Sequence, residues 1–301
     1  MNDVMLKSFF LPKQTEITAI LNEADQVAGT PNHGIDHALK ILRQLSLEEF
    51  GTLLLDIPKD YVKLRGALPR MASKEVQQGW TGSDGKTLLA QSCDFIRSVE
   101  KQAINLSDLS LKDRTVLDFG CGWGRLMRLM YYFTSPNNIY GVDAWQESLD
   151  VCAQDGVLGN LALSEQIPNT LPFEKIDFDL AYSFSVFTHL SERTTLAALS
   201  SLRNCVKPKG LLVITLRPIE YWNHHTTYAA GYSRERAIAE HQAHGFAFVP
   251  HYRPPTDGEL TYGDSSISFE YLARAVPEFK VVGTEINSSD PYQIITFMKP
   301  V

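Results

Sequence analysis

The chain has 301 residues, 44% hydrophobic and 21% charged, with a formal net charge of −7. That composition belongs to a folded globular protein, long enough for one large domain or a core with an appendage. The negative charge and the lack of a Lys/Arg cluster weigh against a phosphate-tracking surface, so no nucleic-acid partner is expected.

No apolar stretch approaches the ~20 residues that span a bilayer, and the first ten residues lack a signal-peptide pattern, so no membrane partner is expected. The four cysteines, Cys93, Cys121, Cys152 and Cys205, form no C-x-x-C pair, and none has a histidine at zinc-ligand spacing. Neither a disulfide framework nor a metal is expected; a reduced, cytoplasmic setting is. No internal repeat or low-complexity segment stands out.

Residues 1–110 read as mostly helical. Ile17, Ile20, Leu21 and Ala24 make a 3.6-period stripe over 16–27. Turn residues over 29–34, including Asn32 and His33, end it. Asp36 is placed to cap a second helix carrying Ala38, Leu39, Ile41, Leu42 and Leu45. Three glycines surround Trp80 and Thr81 over 78–85, as in a loop, with Ser83 or Asp84 as cap of a long helix over 86–104.

The stretch 115–126, T-V-L-D-F-G-C-G-W-G-R-L, organises the rest. Val116, Leu117 and Phe119 are a short buried strand; Gly120, Gly122 and Gly124 form a turn; Leu126, Met127, Leu129 and Met130 resume at helical spacing. Strand, glycine turn and helix open a nucleotide-binding α/β unit. A dinucleotide fingerprint needs a small residue at position 125, where this chain has Arg. The second strand ends in Asp143, about 20 residues beyond the first glycine, where an acid can accept hydrogen bonds from ribose hydroxyls. Further strands are expected near 160–163, 178–183, 210–216, 280–286 and 292–298.

These segments resemble the class I S-adenosylmethionine-dependent methyltransferases. Residues 115–126 are similar to their first motif, and Ile-Tyr-Gly-Val-Asp over 139–143 to their second. Residues 177–190 resemble their fourth strand and its turn, and 202–215 the following helix and fifth strand. The resemblance implies a Rossmann-like, doubly wound, seven-stranded and mostly parallel sheet with an antiparallel last strand. It divides the chain into an N-terminal helical region over 1–110, serving as cofactor-site lid or dimer interface, and a core over 111–301. S-adenosylmethionine is the implied cofactor and S-adenosylhomocysteine the product.

Carried onto this chain, the resemblance places Asp118 near the cofactor's amino group. Gly120, Cys121 and Gly122 line its methionine part. Asp143 grips the ribose, with Ala144 or Trp145 over the adenine and Ser164, Glu165 and Gln166 competing for the adenine amine. Phe184 and Ser185 face the same cleft. Trp80 and Gly82 belong to the segment that closes over the methionine end in relatives, or else to a loop with a buried Trp.

Residues 217–265 exceed the minimal fold and leave the carboxyl end of a strand, where open α/β sheets bind ligands. They are read as a loop or small helical lid that shapes the substrate site, with Arg217, Trp222, Tyr228 and Tyr262 as substrate contacts, or as a surface excursion with its own small core. His189 and His225 are the candidate bases for an oxygen or nitrogen nucleophile. No [DN]-P-P-[YF] follows the fourth strand, and no acidic trio suggests metal-dependent catechol chemistry. A methyl acceptor on O or N of a small metabolite, sugar or natural-product intermediate remains. A non-catalytic cofactor-binding scaffold, or a nucleic-acid methyltransferase, is the alternative.

Overall fold

The computed structural model describes residues 2–31, 34–173 and 176–301. Asn32 and His33 of the expected first turn lie outside them. The strands are β1 (Val116–Phe119), β2 (Ile139–Asp143), β3 (Asn160–Leu163), β4 (Phe178–Ser183) and β5 (Val206–Leu216), then β6 (Phe246–Pro250), β7 (Gly263–Ile267), β8 (Phe279–Ile286) and β9 (Ile294–Pro300), and the central β1, β4 and β5 are apolar runs buried on both faces. Among the described residues six helices precede β1: α1 (Asn2–Ala28), α2 (Gly34–Leu42), α3 (Leu47–Leu55), α4 (Val62–Ala67), α5 (Lys74–Thr81) and α6 (Gly85–Ser107). Helices α7 (Arg125–Met130), α8 (Gln146–Asp155), α9 (Glu192–Arg203), α10 (Arg234–His244) and α11 (Phe269–Ala275) lie between later strands.

Seven strands form one sheet in the order β3-β2-β1-β4-β5-β9-β8. Strands β1 to β5 pair in parallel, and β9 lies antiparallel between β5 and β8. This is the expected doubly wound sheet with an antiparallel last strand. Strand order reverses between β1 and β4, which opens a crevice at the carboxyl ends of the strands.

The period of two divides the core. Val116, Leu180, Leu211 and Val213 pack on one face with Phe95 and Ile96 of α6, Leu126 and Met127 of α7, and Leu39 and Phe50 of α2 and α3. Leu117, Ala181, Leu212 and Ile214 face the other way, against Leu199 and Leu202 of α9 and Leu272 of α11. Each such fully buried large side chain contributes about 1.5–3 kcal/mol. The N-terminal helices thus share the core of the sheet on one face.

Four local expectations are corrected. The stretch around Trp80 is the last turn of α5 rather than a loop, because Ser73 caps its start by accepting from Val76 N, and Gly82 ends it at φ 73°. Asp84 is the residue before α6 without a side-chain cap bond; the buried Gln77 accepts from Gly85 N instead. Asp36 lies inside the first turn of α2, where it accepts from Ser135 Oγ at 2.6 Å. The segment 217–265 is more than a helical lid: α10 packs with an antiparallel pair, β6 and β7, around a small core of Trp222, Ala237, Ala247 and Val249.

Candidate functional site

A cleft of about 640 Å³ opens over the carboxyl ends of β1, β2 and β4. Its floor is the turn after β1. Gly120 N and Cys121 N both donate to Val142 O, at 2.8 and 2.9 Å, which ties the turn to β2. Gly120 sits at φ 76°, and a Cβ there would lie 2.3 Å from Val186 Cγ2. Only glycine meets both demands. At Gly122 a Cβ would meet nothing within 4 Å, so the backbone is open to a close-lying ligand. Cys121 lines the floor with its thiol held well above the ordinary range, by hydrogen bonding with Cys152 and by burial.

Asp143 receives two backbone donors: Gly122 N at 2.8 Å on Oδ2 and Trp145 N at 2.9 Å on Oδ1. Its carboxyl is nevertheless raised, because burial outweighs those bonds. The Trp145 ring lies 3.9 Å beneath the Arg253 guanidinium, which also stands 3.9 Å over Tyr262. Ala144, Ser164, Glu165 and Gln166 continue the same wall. Gln166 Oε1 accepts from Thr256 and Thr261, so this wall is joined to the insertion.

Asp118, at the end of β1, is 2% exposed and lines the cleft. Burial pushes its carboxyl up to about 8, against the pull of Arg125. Arg125 begins α7, lines the cleft and stands 5.0 Å over the Phe184 ring. Burial lowers its guanidinium to about 10, opposed by Asp118. Among the described residues no carboxylate lies within salt-bridge distance of it. The sequence reading noted Arg125 only as filling the third-glycine position and did not place it among the residues that line the cleft. Trp80 and Thr81, from the end of α5, face the cleft, whereas Gly82 only terminates the helix.

The other end of the cleft is made by Phe184, Ser185, His189, Tyr262 and the tip between β8 and β9, which brings Asn287, Ser289, Asp290 and Gln293. Sequence reasoning missed that tip entirely. Ser185 has φ 61°, a strained value for a residue with a side chain; its N donates to Thr215 Oγ1 at 2.7 Å.

His189 lies on the wall but has both ring nitrogens engaged. Nδ1 donates to Gly263 O at 2.7 Å, and Nε2 is 3.4 Å from Arg217 Nη2, while its face stacks on Tyr262 at 5.2 Å. Burial, then Arg217, depress it to about 4. Behind it sits Asp264, 4% exposed. Burial would raise this carboxyl, but Arg217, His189 and the hydrogen bonds from His251 and Arg217 hold it at about 2. Asp264 accepts from Tyr221 Oη at 3.0 Å and from His251 Nε2 at 2.7 Å.

Four expected contacts therefore stand outside the cleft. Arg217 is spent on Asp264 and Thr188 O. Trp222 is 0% exposed and donates to Ser266 Oγ. Tyr228 donates to Trp222 O. His225 shares a 3.0 Å bond with Tyr221 Oη behind the wall. Trp222 and Tyr228 belong to the small core of the insertion, which needed large aromatics for its own stability.

Residues 116–210 match the family model of a methyltransferase domain. No curated protein matches the chain. Solved structures of similar fold include an S-adenosylmethionine-dependent methyltransferase from Clostridium acetobutylicum, 13% identical, covering 74% of this chain and 95% of that one, TM-score 0.48. Another is magnesium protoporphyrin IX methyltransferase from Synechocystis with bound S-adenosylhomocysteine, 15% identical, covering 75% and 97%, TM-score 0.48. A third is a methyltransferase from Streptomyces caelestis, 11% identical, covering 76% and 97%, TM-score 0.49. Likenesses this distant leave the substrate open. The glycine turn, Asp143 and the strand order agree with the likeness of residues 116–210 to a methyltransferase domain.

Proposed function

We propose that this chain is a class I S-adenosylmethionine-dependent methyltransferase and that it methylates an oxygen or nitrogen atom of a small molecule. The observation that carries the reading is the shape of the cleft: a cofactor wall at one end and, at the other, a pocket roofed by residues of the insertion and the β8–β9 tip. A volume of about 640 Å³ suits a small acceptor beside the cofactor rather than a polymer strand. The net charge of −7 agrees.

The residues fit S-adenosylmethionine. Gly122 leaves open space where the backbone must come close, and Arg125 is a half-buried cation facing the cleft. Arg125 would hold the carboxylate of the methionine part and Asp118 its ammonium. Asp143 would take the ribose, with Trp145 and the Arg253 stack enclosing the adenine and Ser164, Glu165 and Gln166 at its rim. Trp80 would close the methionine end. When bound, the cofactor supplies an electrophilic methyl on a sulfonium sulfur. The chain's own work is to hold the acceptor in line with that methyl and to exclude water, which can supply much of the rate.

With both nitrogens engaged, His189 positions Tyr262 rather than serving as base, and His225 has no path to the acceptor. Asp290 is the carboxylate at the acceptor end and the better place for the acceptor's proton. The four buried free cysteines suit a reducing compartment such as the cytoplasm.

The test is production of S-adenosylhomocysteine from S-adenosylmethionine with fractionated small-molecule extracts. Acceptor-dependent product is expected from a low-molecular-weight fraction. Product only with nucleic acid, and with a steep salt dependence, would overturn the reading.

A further inference from the structure

We infer that Arg253, with the Tyr262 hydroxyl beside it, forms an anion subsite that selects an acceptor carrying a carboxylate or a phosphate monoester. The inference deepens the reading above and rests on it.

Arg253 stands where the two ends of the cleft meet. Its guanidinium carbon lies 3.9 Å from the Trp145 ring, on the wall read as the cofactor's, and 3.9 Å from the Tyr262 ring, at the other end. The two rings are 5.5 Å apart and tilted by 46°, so they form a notch that seats the flat cation. An arginine held against aromatic faces keeps its fork of N–H donors free at its edge. Arg253, Trp145 and Tyr262 all line the cleft.

Among the described residues those donors have no protein partner: the Arg253 side chain makes neither a hydrogen bond nor an ion pair. The acids of its own loop are engaged elsewhere, since Asp257 and Glu259 pair with Arg193 at 3.4 and 3.5 Å. Asp264, just beyond Tyr262, is taken by Arg217 and His251. Tyr262 Oη likewise has no partner among the described residues. Both side chains are half-buried, and neither the guanidinium nitrogens nor Oη is closed off from the cleft.

The cofactor does not supply the matching anion. Its one anionic group is the methionine carboxylate, which the reading above gives to Arg125, and the adenine and ribose that face Trp145 are neutral. The anion is therefore the acceptor's. A carboxylate or phosphate takes paired, charge-assisted bonds from the guanidinium and a further one from Tyr262 Oη. The subsite is set beforehand: Thr256 and Thr261 both donate to Gln166 Oε1, Ser191 N donates to Thr261 O at 3.0 Å, and His251 N donates to Tyr262 O at 3.0 Å. A loop already ordered in this way loses less entropy when the ligand arrives.

The experiment uses the full chain saturated with S-adenosylhomocysteine, its binding confirmed by calorimetry, so that Arg125 is already occupied. Failure of the unsubstituted protein to bind the product would indict the cofactor reading, not the subsite. Saturation-transfer NMR titrations then compare benzoate and phenyl phosphate with benzamide and benzyl alcohol. At least one of the two anions is expected to bind about tenfold or more tighter than either neutral probe, and the tighter anion tells carboxylate from phosphate. Arg253→Gln is expected to abolish that preference while product affinity falls no more than about fivefold, and Arg253→Lys to keep part of it. Tyr262→Phe, which keeps the ring and the notch, is expected to weaken the tighter anion by about threefold to tenfold and to leave the neutral probes unchanged. Neutral probes that bind as tightly as the anions, an anion preference that survives Arg253→Gln, or no signal from any probe would each overturn the inference.

Discussion

The two ends of the cleft are built differently. The end proposed for the cofactor is local: Asp118, Gly120, Cys121, Gly122 and Arg125 come from eight consecutive positions, and Asp143 ends the neighbouring strand. The end proposed for the acceptor is assembled from afar: Ser185 follows β4, Tyr262 precedes β7, and Asn287 and Gln293 flank the β8–β9 turn. Backbone geometry sets the first, through glycine conformations and N–H donors. Side-chain packing and a buried charge set the second. A fold can therefore keep one end while changing what the other accepts.

Substitutions at each end should separate the two. The largest effect is expected at Asp264, which supports the acceptor end from behind. Asp264→Ala leaves the Arg217 guanidinium buried without its partner and is expected to cost about 3–5 kcal/mol in chemical denaturation. The sign with pH follows from its depressed carboxyl. Its stabilising share is present above the ordinary value of 3.8 and is lost as pH falls toward about 2. A variant as stable as the parent would show the charge cluster to be dispensable.

Gly120→Ala strikes the cofactor end. A side chain at φ 76° against Val186 is expected to cost about 1–3 kcal/mol and to weaken product binding more than tenfold by calorimetry. Unchanged product binding would mean that the turn does not set the cofactor site.

Asp118 gives a pH signature of opposite sense to Asp264. Its carboxyl is raised from 3.8 to about 8, so between these values the folded protein keeps a proton that the unfolded chain releases. Stability from this group falls as pH rises through that window and levels off above it. Asp118→Asn is expected to flatten that slope in denaturation curves measured from pH 5 to 9. An unaltered slope would contradict its burial as a protonated acid. The smallest effect is expected at Arg253→Lys, which loses flat stacking on Trp145 and Tyr262. Product affinity should fall by about two- to fivefold, some 0.5–1 kcal/mol; no change would remove that stack from the adenine site.

Much of the cofactor end was legible because its physics is short-range. Glycines at alternate positions, an apolar strand before them and an acid closing the next strand need no knowledge of the rest of the chain. The sheet was legible for the same reason, since its central strands β1, β4 and β5 are short apolar runs buried on both faces. The acceptor end was not. Asn287, Asp290 and Gln293 carry no local pattern; they matter because β9 inserts between β5 and β8 and turns their hairpin toward Ser185. The aromatics and histidines of the insertion drew attention by their number, but Trp222 and Tyr228 serve a satellite core, and His225 lies behind the wall. Composition marked the right segment while saying nothing about which side chains face in.

The most direct test is a calorimetric titration of the protein with S-adenosylhomocysteine, with NADH as control, repeated with Asp143→Ala. Micromolar product binding is expected, with no heat from NADH because Arg125 fills the position a dinucleotide fold needs small. Asp143→Ala should lose about 1.5–3 kcal/mol of that binding while staying folded. A folded protein that ignores the product, binds NADH instead, or binds equally well without the Asp143 carboxylate would contradict the assignment of this cleft.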